Sequence, residues 1–210
     1  YSVQPSPGGI AQAVLIGEDF VQDQPFVLVL GDNIFHGSVG LENEVATFDS
    51  GAVIWGYPVD DPQRYGVIEI DNSGSVLSIE EKPKEPRSEL AVPGLYVYDG
   101  SAVSRVKELA PSERGELEIT DLNLSFLRDA KLRAVRLGRD TTWLDSGTHE
   151  SLLESSNFVA SIEKEHGYKV ACVEEVAYKM GFVSVDDIAI TIESMPPSPY
   201  KAYCERAILG

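Results

Sequence analysis

The sequence predicts an α/β fold with a mostly parallel central sheet flanked by helices. A continuous apolar run, Val27-Leu28-Val29-Leu30, enters the turn Gly31-Asp32-Asn33. Such a run is typical of a strand covered on both faces, as in a parallel sheet. Segments of helical periodicity alternate with strands in the first half of the chain, and a strand–turn–strand pattern at 65–80 predicts a β-hairpin.

Hydrophobic periodicity and the residues typical of helix and strand ends predict the following elements, in chain order. The turn cluster Pro5-Ser6-Pro7-Gly8-Gly9 precedes a helix expected over 10–20. A helix is next expected over 42–48, with strands over 27–30, 52–59 and 90–98. The hairpin strands, 65–70 and 75–80, meet at Asp71-Asn72-Ser73-Gly74.

Further helices and short strands are predicted in the second half of the chain. Helices are expected over 101–109 and 121–128, and short strands over 132–137 and 142–144. The clearest helix spans 149–165, because Thr148 is a candidate N-cap and Gly167 follows the last turn. A short helix over 174–181, a proline-rich loop and an amphipathic segment complete the chain. We expect an α/β core over 1–167 and a C-terminal helical extension over 168–210.

Composition limits the function classes. Hydrophobic residues make up 43% of the 210 residues, enough for a sizeable core. No apolar stretch approaches the length of a membrane span. The formal charge of −17 argues against nucleic acid and anionic membranes as partners, since both select basic patches. An anionic ligand would therefore need a metal, a helix N-terminus or a few placed cations.

The two cysteines and the first residues of the chain lead to two further expectations. Cys172 and Cys204 are widely separated, so neither a zinc motif nor a disulfide framework is predicted, and a reduced, cytosolic setting is favoured. The chain begins Tyr1-Ser2-Val3 without methionine, so we expect a fragment of a longer protein.

Two aspartates at predicted strand ends point to chemistry. Asp32 follows the apolar strand, and Asp145 follows Thr142-Trp143-Leu144. Ligands of open α/β sheets bind outside the carboxyl ends of the strands, so we expect the two carboxylates to converge at one edge. A separation of more than roughly 10 Å would rule out one Mg²⁺ between them, because its ligands lie at about 2 Å. With Glu81 and Lys82 between them in sequence, the pattern predicts a metal-assisted site for a phosphorylated ligand.

Each motif also has an ordinary structural interpretation. Gly-Asp-Asn is a common turn, because Asp and Asn bond their own backbone. Asp145 could simply favour a following helix dipole, and Glu81-Lys82 could be a solvated hairpin edge. Taken singly, these interpretations are preferred; the order of the motifs along the chain decides against them.

That order resembles the bacterial glucose-1-phosphate thymidylyltransferases. The matching segments run along most of the chain: 3–13 (Val-Gln-Pro-Ser-Pro-Gly-Gly-Ile-Ala-Gln-Ala), 30–33 (Leu-Gly-Asp-Asn), 61–67 (Asp-Pro-Gln-Arg-Tyr-Gly-Val), 79–83 (Ile-Glu-Glu-Lys-Pro), 114–121 (Arg-Gly-Glu-Leu-Glu-Ile-Thr-Asp) and 143–149 (Trp-Leu-Asp-Ser-Gly-Thr-His). Segments 168–172 and 174–178 look like the family's C-terminal part. The resemblance implies a Rossmann-like nucleotidyltransferase sheet with a hairpin-rich sugar-binding part.

The resemblance also implies a reaction and its residues. Glucose 1-phosphate and dTTP would give dTDP-glucose and pyrophosphate, for dTDP-rhamnose and cell-surface polysaccharide precursors, in a cytoplasmic homo-oligomer, a tetramer by family resemblance. Asp32, Asp145 and Lys82 would be catalytic, with Mg²⁺ held by the two aspartates. The substrate-binding residues would be Gln4 and Gly9 at the thymine, Gly66, Glu81 and Val92 at the sugar, Tyr65, Gly94 and Tyr96 around it, Lys82 and Arg114 at the sugar phosphate, and Asn33 and Trp143 beside the metal.

These residue types suit the chemistry. Two anions must meet, so positioning and charge neutralisation carry the transfer with little covalent work for the protein. Mg²⁺ prefers oxygen ligands and takes one or two carboxylates. Lys82 supplies a point charge, and Glu81 can accept hydrogen bonds from sugar hydroxyls.

The sequence departs from the family in two places. The family's glycine-rich loop, with its arginine and a following lysine, precedes the segment where this chain begins, so we expect residues 1–210 alone to be inactive. Pro93 stands where the family usually has a small polar residue, which puts a backbone contact or strand pairing there in doubt.

Three alternatives remain open. The first is a sugar-nucleotide-binding relative without catalysis. The second is a glycosyltransferase with an Asp-x-Asp metal motif, which is disfavoured because Asn33 and Ile34 follow Asp32. The third is the same reaction with another nucleotide or hexose.

Overall fold

The structure, a computed structural model, describes residues 1–71 and 74–210. They form two compact units, Tyr1–Asp145 and Ser146–Gly210. The strands, all in the first unit, are β1 (Phe26–Val29), β2 (Asn33–His36), β3 (Ala52–Pro58), β4 (Gly66–Ile70), β5 (Val76–Glu81), β6 (Leu90–Ala91), β7 (Leu95–Tyr98), β8 (Leu132–Arg136) and β9 (Thr142–Asp145). The helices of that unit are α1 (Ile10–Ile16), α2 (Glu18–Val21), α3 (Leu41–Ala46), α4 (Ala102–Lys107) and α5 (Ile119–Arg128), with a 3-10 turn at Pro62–Arg64.

The first unit is a mixed α/β structure, as predicted, but its strand directions differ from the prediction. The sheet order is β1-β7-β3-β6-β4-β5, β8 lies beside β3, and β2 and β9 form a separate ribbon. Within the described ranges, every pairing is antiparallel except that of β3 with β8. The predicted mostly parallel sheet is therefore wrong. An apolar run indicates that a strand is buried, but it does not determine whether the neighbouring strand is parallel or antiparallel. That direction depends on connections far along the chain.

Strand β1 also differs from the prediction. We expected it to be covered on both faces, yet the side chains of Val27 and Val29 are 40% and 53% exposed. Among the described residues β1 pairs with β7 alone, in the register Phe26 opposite Tyr98 to Val29 opposite Leu95. Alternate residues of β1 thus face the core, as in an antiparallel strand with one open face.

Strand β3 has a core on each face. Ala52 and Ile54 belong to the larger core, which packs the sheet against α1, α4 and α5. Val53 and Trp55 point to the opposite face and pack with residues before and within α3. The Trp55 indole donates to the Val39 carbonyl at 2.7 Å, so the buried ring has its polar atom satisfied.

Two predicted elements are each divided into two shorter elements. The strand expected over 90–98 leaves the ladder at 92–94 and becomes β6 and β7. The helix expected over 10–20 ends at Ile16 and resumes as α2 after Gly17. The hairpin is confirmed, with Gly66 opposite Glu81 and Ile70 opposite Val76; the predicted turn residues Asn72 and Ser73 lie outside the described residues.

The second unit is helical. Its elements are α6 (His149–His166), α7 (Val173–Lys179), α8 (Val185–Ser194), α9 (Pro199–Cys204) and a π-turn at Glu205–Leu209. Helix α6 has the predicted ends: the Thr148 side chain forms a capping box with Ser151, and Gly167 adopts φ 73°. The expected boundary at 167/168 falls inside this unit, whose first helix is α6. In the described part of the chain, no helix has both the length and the apolarity needed to cross a bilayer.

Candidate active site

A pocket of about 430 Å³ opens in the first unit. Its volume is within the range of small-molecule sites. All fourteen residues that the sequence nominated line it: Gln4, Gly9, Asp32, Asn33, Tyr65, Gly66, Glu81, Lys82, Val92, Gly94, Tyr96, Arg114, Trp143 and Asp145. Segments separated by more than a hundred residues therefore meet in one cavity.

The two aspartates come from the ribbon that β2 and β9 form. Asp32 directly precedes β2, and Asp145 is the last residue of β9. In the antiparallel register, Asn33 stands opposite Asp145, so Asp32 is one position from that pair. The two aspartates are brought to one pocket by pairing within a two-stranded antiparallel ribbon. The sequence instead predicted that they lie at the carboxyl ends of parallel strands.

The Asn33 amide joins three parts of the site. Its Oδ1 accepts from the Trp143 indole at 2.7 Å and from the Gly94 amide at 2.8 Å. Its Nδ2 donates to Asp32 Oδ1 at 2.7 Å. With both ends of its amide engaged, Asn33 links Asp32 to Gly94 and Trp143.

Aromatic rings form one wall of the pocket. The Trp143 ring lies edge-on to Tyr65 and to Tyr57, with centroids 5.2 and 5.6 Å away. Arg64 lies over the Tyr65 ring at 5.3 Å and donates to Asp61 at 2.8 Å. Burial raises the pKa of the Tyr65 phenol, which stays neutral. The sequence did not nominate Arg64, although it stands within the Gln63-Arg64-Tyr65-Gly66 segment that carried the resemblance.

A carboxylate and a hydroxyl are paired on the adjacent side. The Thr120 hydroxyl donates to Glu81 Oε2 at 2.6 Å. Gly66 faces both groups, since a Cβ there would lie 3.2 Å from Thr120 Oγ1 and 3.4 Å from Glu81 Oε2. Burial, with the nearby Glu81 and Asp32 carboxylates, raises the pKa of the Tyr96 phenol, so this ring also stays neutral. Oxygen acceptors and neutral hydroxyls of this kind suit a polyol.

The two nominated cations have different surroundings. The Arg114 guanidinium binds Glu118 through Nε and Nη2, with Nη2 2.9 Å from each carboxylate oxygen, and this hydrogen bonding raises the pKa of Arg114. The Lys82 ammonium lies 3.9 Å from Glu81 Oε1, and its side chain is half-exposed. The two side chains are about equally exposed, at 50% for Lys82 and 47% for Arg114, but Arg114 is already bound by Glu118 at 2.9 Å, whereas Lys82 makes the longer contact with Glu81.

Irregular backbone brings these groups together. Lys82 adopts φ 44°, a conformation uncommon outside glycine, and its amide donates to the Tyr65 carbonyl at 2.9 Å. The Val92 amide donates to Gly66 O at 2.8 Å, and the Leu30 amide to Gly94 O at 2.9 Å. The buried Pro93 lies between β6 and β7, so its missing N–H removes no bond from either strand, and strand pairing is intact at this position.

Gln4 and Gly9 form the far end of the pocket. The Gln4 side-chain amide donates to Gly9 O at 3.1 Å and to Gln12 Oε1 at 2.7 Å. Gly9 adopts φ 94°, and a Cβ there would lie 2.3 Å from Leu117 O, so only glycine fits. This segment is therefore held against the loop before α5.

Several lining residues were missed by sequence reasoning: Pro7, Ile10, Leu30, Arg64, Glu116, Glu118, Ile119, Thr120 and Asn123. Thr120 and Asn123 are three residues apart on one face of α5, a spacing that could have identified them together. Asn123 is fully buried, and its Oδ1 accepts from the Tyr98 hydroxyl at 2.7 Å. Within 1–71 and 74–210, its Nδ2 has no hydrogen-bond partner. Among the described residues, this nitrogen is therefore a donor left unsatisfied next to the pocket.

Known proteins have similar sequences and a similar fold. The family model for nucleotidyl transferases matches residues 1–162. A glucose-1-phosphate thymidylyltransferase of Xanthomonas campestris pv. campestris (strain B100) is 48% identical over 206 residues, covering 97% of this chain and 70% of the relative. One from Neisseria gonorrhoeae is 44% identical over 205 residues, covering 97% and 71%.

Solved structures agree. A crystal structure of a Bacillus anthracis protein described as a glucose-1-phosphate thymidylyltransferase, in complex with sucrose, has 45% identity and a TM-score of 0.68, and the match covers 75% of this chain and 63% of that one. A UDP-glucose pyrophosphorylase complexed with UDP-glucose, at 24% identity and a TM-score of 0.65, shares the fold. By its sequence, its fold and the residues gathered in its pocket, this chain belongs to the nucleotidyl transferase family, alongside the bacterial glucose-1-phosphate thymidylyltransferases.

Proposed function

We propose that the pocket joins glucose 1-phosphate to the thymidylyl group of dTTP, giving dTDP-glucose and pyrophosphate. The observation that carries this proposal is the gathering of Asp32, Asp145, Lys82 and the Glu81–Thr120 pair in one cavity. A carboxylate pair, an accessible cation and a polyol-binding group are what the joining of a sugar phosphate to a nucleotide requires. The similar Xanthomonas and Neisseria proteins carry the name of this reaction.

Asp32 and Asp145 fit a magnesium ion. Both offer hard oxygen donors, and they stand at neighbouring register positions of the β2–β9 ribbon. A protein usually binds Mg²⁺ through one or two carboxylates and leaves several waters on it. When bound there, Mg²⁺ would neutralise charge on the triphosphate.

The side chains of the pocket align the reactants. A phosphate oxygen of glucose 1-phosphate attacks the α-phosphorus of dTTP, the new P–O bond forms, and the bond to the β-phosphate oxygen breaks to release pyrophosphate. Lys82 attracts the sugar phosphate against the repulsion of the triphosphate. Arg64 and Arg114 also line the pocket, but they are already paired with Asp61 and Glu118, so Lys82 is the main local source of positive charge in a chain of net charge −17.

Recognition of the two substrates is divided between the ends of the pocket. Glu81, with Thr120 behind it, accepts hydrogen bonds from sugar hydroxyls, and the free Asn123 amide nitrogen donates to another. The Gln4 side chain and the Gly9 backbone, which touch each other, contact the thymine. Gly66, Val92, Gly94 and the rings of Tyr65 and Tyr96 enclose the sugar, and Trp143 packs beside the metal.

The family resemblance supports four finer proposals: Mg²⁺ as the cofactor, dTDP-rhamnose and cell-surface polysaccharide precursors as the destination of the product, a cytoplasmic location, and a homo-oligomer, specifically a tetramer.

The test is pyrophosphate release by the protein expressed from its complete gene, with Mg²⁺, glucose 1-phosphate and each of dTTP, UTP and CTP. We expect dTTP to be the preferred nucleotide. Asp32→Asn and Asp145→Asn should each reduce kcat strongly, while Asp60→Asn, an exposed aspartate outside the pocket, should leave it unchanged.

Binding of dTDP-glucose by calorimetry separates the alternatives. Tight binding without any release of pyrophosphate would indicate a sugar-nucleotide-binding relative. Faster release with UTP or CTP would assign the site to another nucleotide. Full activity of both aspartate variants would show that the carboxylates do not serve the reaction.

A further inference from the structure

The two cysteines meet inside the second unit. Cys172 precedes α7 as its N-cap, and Cys204 is the last residue of α9. Their Sγ atoms are 3.7 Å apart, and the two residues are 2% and 0% exposed. Sequence spacing predicted no zinc motif because the residues lie far apart along the chain; folding of the C-terminal helices brings them together.

A carboxylate and a phenol complete the cluster. Glu174 Oε2 lies 3.8 Å from Cys172 Sγ. The Tyr200 hydroxyl contacts both of these groups: it lies 3.3 Å from Cys172 Sγ and donates to Glu174 Oε2. One ligand atom from each of Cys172, Glu174 and Cys204 lies within 4.8 Å of the others. The tyrosine thereby holds the carboxylate against the thiol.

We propose that Cys172, Cys204 and Glu174 bind a thiophilic divalent cation of the zinc class. Two thiolates at a Zn–S distance of about 2.3 Å in a tetrahedral site would be separated by roughly 3.8 Å, and the thiols stand 3.7 Å apart. A carboxylate oxygen at about 2.0 Å would lie roughly 3.5 Å from each sulfur, close to the 3.8 Å between Glu174 and Cys172. Water takes the fourth position, and Tyr200 orients the carboxylate from outside.

Neither a disulfide nor simple packing accounts for the whole cluster. A disulfide needs an S–S distance of about 2.05 Å and an oxidant to take two electrons, and it gives the carboxylate no part. Simple packing of small apolar side chains is consistent with the neighbouring Ile188 and Ile192. However, an apolar contact gives no reason for Glu174 and Tyr200 to be directed at the same sulfur.

A bound cation would compensate the negative charge of the two buried thiolates. On binding, the two thiols lose their protons to solvent, and the site joins the start of α7 to the end of α9.

The test titrates the metal-free, reduced protein with Co²⁺, a spectroscopic substitute for Zn²⁺, and then displaces it with Zn²⁺. The chain has only two cysteines, so a thiolate-to-cobalt absorption band can arise only from this pair. We expect the band to saturate at one ion per chain, and Zn²⁺ to abolish it and to raise the Tm. Cys172→Ser and Cys204→Ser should each reduce or abolish the band.

Two further variants preserve both thiols and so remain informative if the serine variants fail to fold. Glu174→Gln should weaken Co²⁺ affinity by at least about tenfold, and Tyr200→Phe by roughly tenfold to a hundredfold, as loss of an outer-shell partner does. Glu175→Gln is the matched control, because Glu175 instead pairs with Lys179 and Tyr203. The Co²⁺ affinity of the Glu175→Gln variant should be unchanged.

Three results would overturn the proposal. A protein that keeps two free thiols and develops no cobalt band has a simple packing contact at this place. A protein that takes up no metal and loses both thiols to oxidised glutathione has a disulfide pair. Equal losses of Co²⁺ affinity in the Glu174 and Glu175 variants would show that the Glu174 carboxylate is not a metal ligand.

Discussion

Lys82 combines an unusual backbone with an accessible charge. Its left-handed φ of 44° directly follows β5, and its amide is bonded to the residue before β4. Such strain persists where the surrounding structure fixes it, and it clusters at functional sites. Arg114, the other cation nominated for the sugar phosphate, is bound by Glu118 and is less free to respond to a ligand.

We expect Lys82→Ala to raise the KM for glucose 1-phosphate by about tenfold to a hundredfold, the loss of a charge-assisted hydrogen bond of roughly 1.5–3 kcal/mol. The KM for dTTP should change far less, because the charge faces the sugar phosphate. Steady-state kinetics with each substrate varied in turn gives the answer, and the exposed Lys84→Ala serves as control. Equal changes for both substrates would mean that Lys82 serves the other anion.

Asn33 is the second residue whose role follows from its bonds. In Asn33→Ala the Trp143 indole N–H and the Gly94 amide both lose their acceptor, and Asp32 loses its donor. Leaving a buried donor unpaired costs about 1–3 kcal/mol, so we expect a lower free energy of unfolding and a lower kcat. Urea denaturation measures the first effect. Asn43→Ala, an exposed position in α3, should be neutral; equal stability of the two variants would contradict the role of Asn33.

At the scale of the elements, the site depends on close contact between the end of β1 and the segment that joins β6 to β7. Gly94 permits this contact: a Cβ there would lie 2.6–2.7 Å from Leu30 Cγ, Cβ and Cδ1. Two of these atoms are near the Leu30 backbone, so rotation of the leucine end cannot relieve the overlap. The Gly94 amide of this segment donates to Asn33, which in turn donates to Asp32, a proposed metal ligand.

Gly94→Ala is therefore expected to destabilise the protein by about 1–3 kcal/mol, the usual cost of overpacking, and to reduce activity. Gly31→Ala is the matched control, because a Cβ at Gly31 meets nothing within 4 Å. Thermal unfolding and pyrophosphate release should be measured on both variants. If the two alanines have the same effect, the contact with Leu30 does not constrain the site.

At the scale of the whole molecule, charge is unbalanced. The chain has 34 acidic residues against 17 basic ones. Exposed ion pairs such as Lys107 with Glu18 contribute about 0–1 kcal/mol each. The long-range repulsion among the excess carboxylates opposes the compact state over the whole surface.

Salt should therefore stabilise this protein. As ionic strength rises from about 0.01 to 0.15 M, the Debye length falls from roughly 30 to 8 Å, which screens long-range repulsion more than short contacts. We expect the Tm to rise over this range in NaCl and equally in KCl, measured by calorimetry in a metal-free buffer. A fall in Tm would show that specific ion pairs outweigh the net charge.

By itself, the sequence determined the α/β class, the hairpin of β4 and β5, the capped helix α6 and fourteen of the residues that line the pocket. These are properties of short segments. Thr148 and Gly167 mark the ends of α6 through their own backbone preferences, and the ordered motifs carry the nominated residues that line the pocket. The roles of those residues remain predictions for kinetics to test.

Only the tertiary structure decided the strand directions, the pairing of Asn33 with Asp145, the neutralisation of Arg114 and the meeting of Cys172 with Cys204. A local pattern records whether a residue is buried, but partners far along the chain are selected by the free energy of the whole assembly of contacts. For that reason the sequence identified the members of the site, whereas the folded chain established which of them touch.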